Sequence, residues 1–513
     1  MRAAMVIAVA AMVTGCASLP PLEGRAESHA IAAPGGTRLA HAIAPLARAH
    51  PASSGVHALA SATDAFAARM LLASAAESSI DVQYYIWRGD NTGYLLLEAL
   101  RDAAERGVRV RLLLDDNGIR DLDETLAVLD AHPAIEVRLY NPFASRSLRS
   151  LGYFGDFKRL NRRMHNKSFT VDGVATIVGG RNVGNEYFGA GDETLFADLD
   201  VLAVGDVVAE VGAAFDLYWN SASAYPASLL LAPATREGTQ RLEEKFSEVR
   251  AEPRSQAYLD AVRNTALVRQ LLAGELSVEW AVAHVTRDDP AKTLDETERR
   301  DLLLLTDLVA AFGRPRRSFD LVSPYFVPGE KGVATLGALA RSGVATRVLT
   351  NSLAATDVAA VHAGYSKWRE PLLRAGVRLY ELKSLAGIEA ARGSGKKPPG
   401  GSSPESLHAK TFASDRERIF VGSFNFDPRS ALLNTEMGVV IQSPKLAARL
   451  SEALDARLAQ AAYELRLTPS GAIAWVERTP EGAEVLHEDE PDTTMLKRAW
   501  IGFLSWLPID WLL

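Results

Sequence analysis

The chain has 513 residues, 48% of them hydrophobic, with Gly and Pro scattered along it; this exceeds one typical domain and fits two globular α/β domains with appendages. A formal net charge of −7, from 63 acidic and 56 basic residues, provides no global positive field, so nucleic acid is not an expected partner. The one cysteine, Cys16, rules out a disulfide within the chain.

Met1 to Val13 carries one positive charge and then an apolar run too short for a permanent membrane span, so it reads as an export signal. Val13-Thr14-Gly15-Cys16 resembles a bacterial lipobox, in which Cys16 is acylated and becomes the mature N-terminus; residues 1–16 are therefore expected to be a lipoprotein signal. The resemblance implies a lipid-anchored protein on the periplasmic side of a bacterial envelope, and Ala17, where Asp would favour the inner membrane, points to the outer one. Residues 17–55 are rich in Ala, Pro, Gly and Ser and are expected to be a flexible tether.

A first repeat is expected over 56–225. It opens with a helix over Ala62 to Ala75 and a strand over Ser79 to Trp87, marked by β-branched and aromatic residues. A helix from Leu95 to Arg106 and a strand from Val108 to Leu114 follow. Asp115-Asp116-Asn117 ends that strand, either to gather a ligand, as strand carboxyl ends do in open α/β sheets, or as turn chemistry. Lys158, Arg159, Arg162 and Arg163 then crowd the approach to His165, either to attract an anionic headgroup or as a solvated charge cluster.

Residues 226–305 are charged with a mostly helical pattern and read as a helical connection. A second repeat over 306–470 reproduces the order of the first: a strand at Phe319 to Phe326, a helix near Val333 to Arg341, and a strand from Ala345 ending at Thr350-Asn351-Ser352. The segment Asp357 to Trp368, with His362, Tyr365 and Lys367, is a candidate acceptor-recognition helix, or packing in the case of Trp368. Residues 384–406 hold Arg392-Gly393-Ser394-Gly395-Lys396-Lys397-Pro398-Pro399, which cannot bury a core and is expected to be a mobile loop. In the extension 471–513, Met495 to Leu507 and Trp511-Leu512-Leu513 mix Trp, aliphatic residues and two cations, suiting either a membrane interface or a helix packed on its own domain.

One pattern occurs twice. His165-Asn166-Lys167 to Asp172 and His408-Ala409-Lys410 to Asp415 both read H-x-K-x-x-x-x-D. His408 stands 243 positions after His165, as Lys410 does after Lys167, Asp415 after Asp172, and Asn425 after Asn182, so Gly179-Gly180-Arg181-Asn182 answers Gly422-Ser423-Phe424-Asn425 without a gap. Side chains two apart in an extended segment share a face. Each His and its Lys therefore point to one site.

These motifs resemble the signature of the phospholipase D superfamily, and the text around them, Asn161 to Lys167 and Phe424 to Ser430, is similar to the bacterial cardiolipin synthases of the C type. The resemblance implies two tandem phospholipase D-type α/β domains, mixed sheets flanked by helices, with a pseudo-twofold active site between them. It also implies phosphatidyl transfer through a phosphatidyl-histidine intermediate, phosphatidylglycerol as acceptor and phosphatidylethanolamine as donor. Both copies lie in one chain, so a monomer suffices for a complete site.

The chemistry fits the residue types. Two imidazoles divide nucleophile and acid, so no metal or cofactor is required. Lys167 and Lys410 hold non-bridging phosphate oxygens, and Asn182 and Asn425 add neutral donors. A carboxylate should hold the second nitrogen of each His; Asp198 and Glu436, each preceding an apolar strand, are the candidates. Asp172 and Asp415 belong to the motifs, with structural partnership the expected role. By family analogy His165 is the nucleophile and His408 the acid and then base, although the near symmetry does not decide it. Water as acceptor, giving a phospholipase D or another phosphodiesterase such as a nuclease, is the alternative, and a lipid-binding lipoprotein without catalysis is a third reading.

Overall fold

The computed structural model describes residues 18–507 apart from 191–195, 274, 295–298, 385–405 and 480–481. Cys16 and Trp511 to Leu513 lie outside the described residues, as does nearly all of the segment expected to be a mobile loop.

The first half contributes β1 (Ser54–Leu59), β2 (Ser79–Tyr84), β3 (Arg109–Asp115), β4 (Ile135–Tyr140), β5 (Ser168–Val171), β6 (Ala175–Gly179), β7 (Phe196–Ala197), β8 (Asp200–Gly205) and β9 (Ala224–Pro226). The second half contributes β10 (Glu279–Arg287), β11 (Ser318–Val322), β12 (Ala345–Asn351), β13 (Arg378–Leu382), β14 (Ser406–Leu407), β15 (Lys410–Ser414), β16 (Arg418–Gly422), β17 (Met437–Gln442), β18 (Ala462–Leu467), β19 (Ile473–Arg478) and β20 (Glu484–His487).

Pairing runs β9-β4-β3-β2-β5-β6-β8-β1 through the first half and β10-β17-β16-β15-β11-β12-β13-β18-β19-β20 through the second. The triplets β2-β3-β4 and β11-β12-β13 are parallel, and every other ladder in these two runs is antiparallel. β1 and β10 join the two runs antiparallel, with Ser54 opposite Ala281 and Val56 opposite Glu279. The order of strands on one side of that seam repeats on the other, which makes it the pseudo-twofold position.

Local chemistry explains the elements. Asp90 caps the helix Asn91–Glu105 by accepting from the Gly93 amide at 3.0 Å, and Gly107 at φ +91° ends it. Leu96, Leu97, Leu100 and Ala103 on that helix are buried with Ile80, Val82 and Tyr84 from alternate positions of β2. A separate apolar layer, including Val178 and Val201 from the first half and Val421, Val439 and Ile441 from the second, is shared between the halves. Burying such aliphatic side chains stabilises by roughly 1.5–3 kcal/mol each, so the halves are held by core and not by linkage alone.

Two expectations are corrected. The stretch before β1 is no flexible tether: residues 18–55 lie against the first half and include a helix, Arg38–Ala49, capped by Thr37. Its backbone satisfies buried cations of the sheet, with Arg111 donating to the Ser28 carbonyl at 2.9 Å and Arg138 to that of Ala26 at 2.7 Å. Arg25 in turn donates to the carbonyls of Asn220 and Ala224 at 2.6 and 2.8 Å. Composition missed this because much of the strap's hold is through its main chain, with Arg25 and Ser28 adding side-chain bonds.

The connection 226–305 is also not purely helical. Its helices Arg236–Ala251, Pro253–Arg263 and Ala266–Ala273 supply Phe246, Val262 and Leu267 to the first core, but the segment then forms β10 at the seam. The strand escapes notice because its inward residues include Ala281 and Ala283, whose methyl groups carry little periodic signal.

Candidate active site

Strand ends fix the segments that carry the two His residues. Asp115, the last residue of β3, accepts from Arg163 Nη2 at 2.7 Å and from the Met164 amide at 2.8 Å. Asn351, the last residue of β12, accepts from the Leu407 amide at 2.9 Å and donates to the Leu407 carbonyl at 3.1 Å. Both strand-end residues thus clamp the residue immediately before a His, which selects positioning over ligand binding for them. Arg163 is consequently buried in an ion pair and does not face an approaching headgroup. Arg159 is tied to Asp156 at 2.6 Å and to the Pro142 carbonyl at 2.8 Å.

The halves then cross. The His165 amide donates to the Thr435 carbonyl at 2.8 Å, and the Thr435 amide to the Arg163 carbonyl at 2.9 Å. On the other side β14 pairs with β7, and the His408 amide donates to the Ala197 carbonyl at 2.8 Å. Glu436 follows Thr435, and Asp198 follows Ala197. Glu436 Oε2 lies 2.8 Å from His165 Nδ1, and Asp198 Oδ2 lies 2.6 Å from His408 Nδ1. Each half therefore lends its carboxylate to the other half's imidazole, and neither half alone holds a complete pair.

Lys167 and Lys410 are buried beside these pairs. Lys167 Nζ donates to the His165 carbonyl at 2.5 Å; Lys410 Nζ donates to the His408 carbonyl and sits 3.0 Å from His408 Nδ1. Burial, only partly offset by Glu436, lowers Lys167 to about 7. Burial against Asp198 likewise lowers Lys410 to about 8. Two ammonium groups short of compensating charge form a site that gains from an entering anion. Among the described residues no group of three or more His, Cys, Asp or Glu side chains could hold a metal ion.

The symmetry breaks at the carboxylates. At Gly180 a Cβ would sit 2.2 Å from Asp198 Oδ1, so the first half needs glycine there. Its counterpart Ser423 donates its hydroxyl to Glu436, and Ser430 donates to Glu436 Oε1 at 2.8 Å. Behind them Asp288 accepts from the Glu436 amide at 2.8 Å and pairs with Lys292 at 2.9 Å. Burial nevertheless pushes Glu436 up to about 7. Burial works the same way on Asp198, but the charge and hydrogen bond of His408, with Lys410, outweigh it and hold Asp198 well below the usual carboxylate range.

Burial and Lys410 lower His408 to about 4, with Asp198 opposing, while burial and both lysines push His165 well below its ordinary value. Tyr85 and Tyr187 stand edge-on to His165 and His408, each at 5.1 Å between ring centroids. Asn182 accepts from the Ile86 amide at 3.2 Å and donates to Tyr187 at 3.0 Å, whereas Asn425 Oδ1 is buried without a hydrogen-bond partner.

Asp172 and Asp415 complete the motifs but do not stand with the reacting groups; each ties backbone together. Asp172 accepts from the amides of Ser78 and Ser79 at 2.8 and 3.0 Å, and Asp415 from those of Arg317 and Ser318 at 2.6 and 3.0 Å. Each lies at the far end of its strand, about 16 Å along the chain from its Lys at a strand's rise per residue, and ties that end to the start of β2 or β11.

The candidate acceptor helix is also structural on its buried side. His362 Nε2 lies 3.0 Å from Glu490, and Arg369 bridges Glu490 and Glu381. Sequence reasoning missed Asp288, Ser430 and the two tyrosines, because none recurs as the same residue in both halves; Tyr187 and Ser430 stand at equivalent positions, 243 apart, but differ in type.

The model of the family described as "Cardiolipin synthase, PLD-like domain" matches residues 70–219 and 308–458, so both motifs lie within it. The chain belongs to this family. It is 49% identical over 478 residues to cardiolipin synthase C of Escherichia coli (strain K12), covering 93% of this chain and 100% of that protein. It is 32% identical to an uncharacterized protein of Helicobacter pylori (strain J99), covering 88% of each. Among solved structures, phosphatidylserine synthase of Haemophilus influenzae Rd KW20 shares the fold, with a TM-score of 0.52, 15% identity, and coverage of 80% of this chain and 88% of that one.

Proposed function

We propose that this member of the family makes cardiolipin, moving a phosphatidyl group from phosphatidylethanolamine to phosphatidylglycerol through a phosphatidyl-histidine on His165. The crossed imidazole–carboxylate pairs flanked by two buried lysines carry this reading, because they supply a nucleophile, an acid and charge for the phosphorane oxygens in one place.

A proton on His165 Nδ1, donated to Glu436, leaves Nε2 as the nucleophilic nitrogen. It attacks phosphorus, the P–N bond forms, and the P–O bond to ethanolamine breaks. The departing oxygen takes its proton from His408. Asp198 is ionised and favours protonated His408, and an anionic phosphodiester between the lysines raises that tendency further. His408 then takes the proton from a phosphatidylglycerol hydroxyl, whose oxygen displaces His165 and breaks the P–N bond. The asymmetry of the carboxylates supports His165 as nucleophile, since ionised Asp198 favours the protonated form of His408, whereas burial pushes Glu436, the partner of His165, up to about 7.

Mass spectrometry of lipids after incubation with headgroup-labelled phosphatidylethanolamine and phosphatidylglycerol, singly and together, tests the reading. Cardiolipin and free ethanolamine should form only when both lipids are present. Phosphatidic acid as sole product would replace transfer by hydrolysis. We further propose that Cys16 carries a lipid anchor holding the chain on the periplasmic side of the envelope, with Ala17 favouring the outer membrane; a Cys16→Ala chain that fractionates unchanged would remove that anchor from the account.

A further inference from the structure

Two groups of exposed apolar side chains, one from each half, stand at the carboxyl ends of the parallel strands, where both His residues are held. The first lies between β4 and His165. Leu148, Leu151 and Phe154 are exposed, Phe154 at 90%. Their helix, Arg149–Gly155, is fastened by its other side: Tyr153 donates to Asn117 at 3.2 Å and packs edge-on to Phe143, and Arg149 Nη2 pairs with Asp123 at 2.5 Å. Polar groups and the Tyr153 ring hold the helix down, while Leu148, Leu151 and Phe154 face out.

The second group is the helix Met495–Ser505. Ile501 and Leu504 pack with Leu353 and Ala363, and Lys497 Nζ donates to the Leu353 carbonyl at 2.7 Å. The opposite face exposes Leu496, Trp500 and Phe503, followed by Trp506 at 89%. The Trp500 and Phe503 rings stack at 5.7 Å. Leu353 and Ala363 follow the carboxyl end of β12, whose Asn351 holds the segment leading to His408. Both groups therefore hang from structure that positions a site imidazole.

Isolated apolar residues on a surface need no explanation, but repeated ones on two separate helices at one rim do. Charge indicates the occupant. The chain as a whole carries −7, yet residues 145–164 hold six cations; Arg163 is buried on Asp115, Arg146 and Arg149 pair with Asp116 and Asp123, and Arg159 pairs with Asp156, so exposed Lys158 and half-buried Arg162 are the cations that edge this face. Lys158 is exposed beside Phe157, which is 40% exposed. Aromatic and aliphatic side chains edged by cations suit an anionic lipid surface, with rings at headgroup level and charge against phosphate. Among the described residues no helix is long and apolar enough to cross a membrane.

We infer that Leu148, Leu151 and Phe154 of the first half and Leu496, Trp500 and Phe503 of the second form a two-sided face that docks the site onto an anionic bilayer. The inference rests on the reading of the site as one that acts on lipids, and it adds where the bilayer is met. A phospholipid lifted from a bilayer against this rim would reach the site headgroup first.

The test uses the full chain carrying Cys16→Ala, so that no acyl anchor masks the face, with Leu151→Ser/Phe154→Ser and Trp500→Ser/Phe503→Ser as separate pairs. Binding to sucrose-loaded phosphatidylglycerol/phosphatidylethanolamine vesicles is read by sedimentation, and turnover is read on those vesicles and on monomeric dihexanoyl lipids. Each pair should weaken vesicle binding and vesicle turnover about tenfold and leave turnover of the monomeric lipids unchanged.

Unchanged vesicle binding in both pairs would overturn the face, as would loss confined to one pair. A shift in oligomeric state between parent and variants without vesicles would assign the surface to a second copy and also overturn it. If the parent chain binds vesicles in the expected way but turns over neither form of lipid, the proposed function fails while the docking face stands.

Discussion

The two imidazole–carboxylate pairs share backbone geometry and differ in their second coordination. On one side Asp198 lies against Gly180 and is held ionised by His408 and Lys410; on the other Glu436 receives two serine hydroxyls and is still pushed up to about 7 by burial. A duplicated motif thus produces two unlike groups, because one carbon of side-chain length and one Gly-to-Ser difference change what each carboxylate can do. The pair with the ionised carboxylate suits proton donation, and the pair held nearer neutrality suits attack on phosphorus.

The largest expected effect separates those roles. His165→Ala and His408→Ala should each lower turnover of natural lipid about 10³-fold or more. With a p-nitrophenyl phosphatidyl ester, whose leaving group needs no acid, His408→Ala should recover most of its first-step rate and His165→Ala none. A burst of p-nitrophenol in stopped flow reads this, and recovery in His165→Ala instead would exchange the assignments.

Next come the carboxylates. Asp198→Asn removes the anion that favours protonated His408, so the pH optimum of kcat should move down and kcat near pH 7 fall about 10²–10⁴-fold. Glu436→Gln should cost about tenfold, since burial already holds Glu436 near its neutral form. Equal losses in the two variants would dissolve the distinction.

The lysines offer a smaller and more direct reading. Burial lowers Lys167 and Lys410 to about 7 and about 8, below their unfolded value, so between about pH 7 and 10 the unfolded chain binds more protons and stability rises with pH. Sulfate should pair with both cations, flatten that rise, and bind more weakly as pH passes 8. Calorimetry in two buffers of different ionisation enthalpy should find proton uptake on sulfate binding at pH 8.5 and little at pH 6. Absence of uptake at pH 8.5 would mean the lysines are charged before an anion arrives.

The smallest effect on chemistry belongs to the motif aspartates. Asp172→Ala should lower stability by about 3 kcal/mol through its backbone hydrogen bonds and leave kcat of the folded fraction unchanged, as followed by urea unfolding and an assay on the same samples. Asp415→Ala should cost less, because solvent reaches its partners. A large kcat loss at full folding would return either residue to the reaction.

Much of the site was legible because its information is local. His165 and Lys167 share a face by strand geometry alone, and Asp198 and Glu436 stood out as acids placed before apolar strands. Which carboxylate serves which imidazole was not legible. The crossing depends on Met164 pairing with Thr435, 271 positions away, a contact with no trace in either segment. Asp288 was hidden for the same reason, and Arg163 read as a surface charge because its partner Asp115 lies on another strand.

By itself the sequence determined two repeats, the strand–helix order within each, and the side chains able to carry the chemistry, since these follow from spacing and side-chain type. Tertiary structure alone decided that the halves share one sheet through β1 and β10, that each completes the other's site, and that residues 18–55 lie against the first half. The physical reason is range. Periodicity reports which face of an element is apolar, whereas the partner of a buried charge or an open backbone edge is fixed only when distant segments meet.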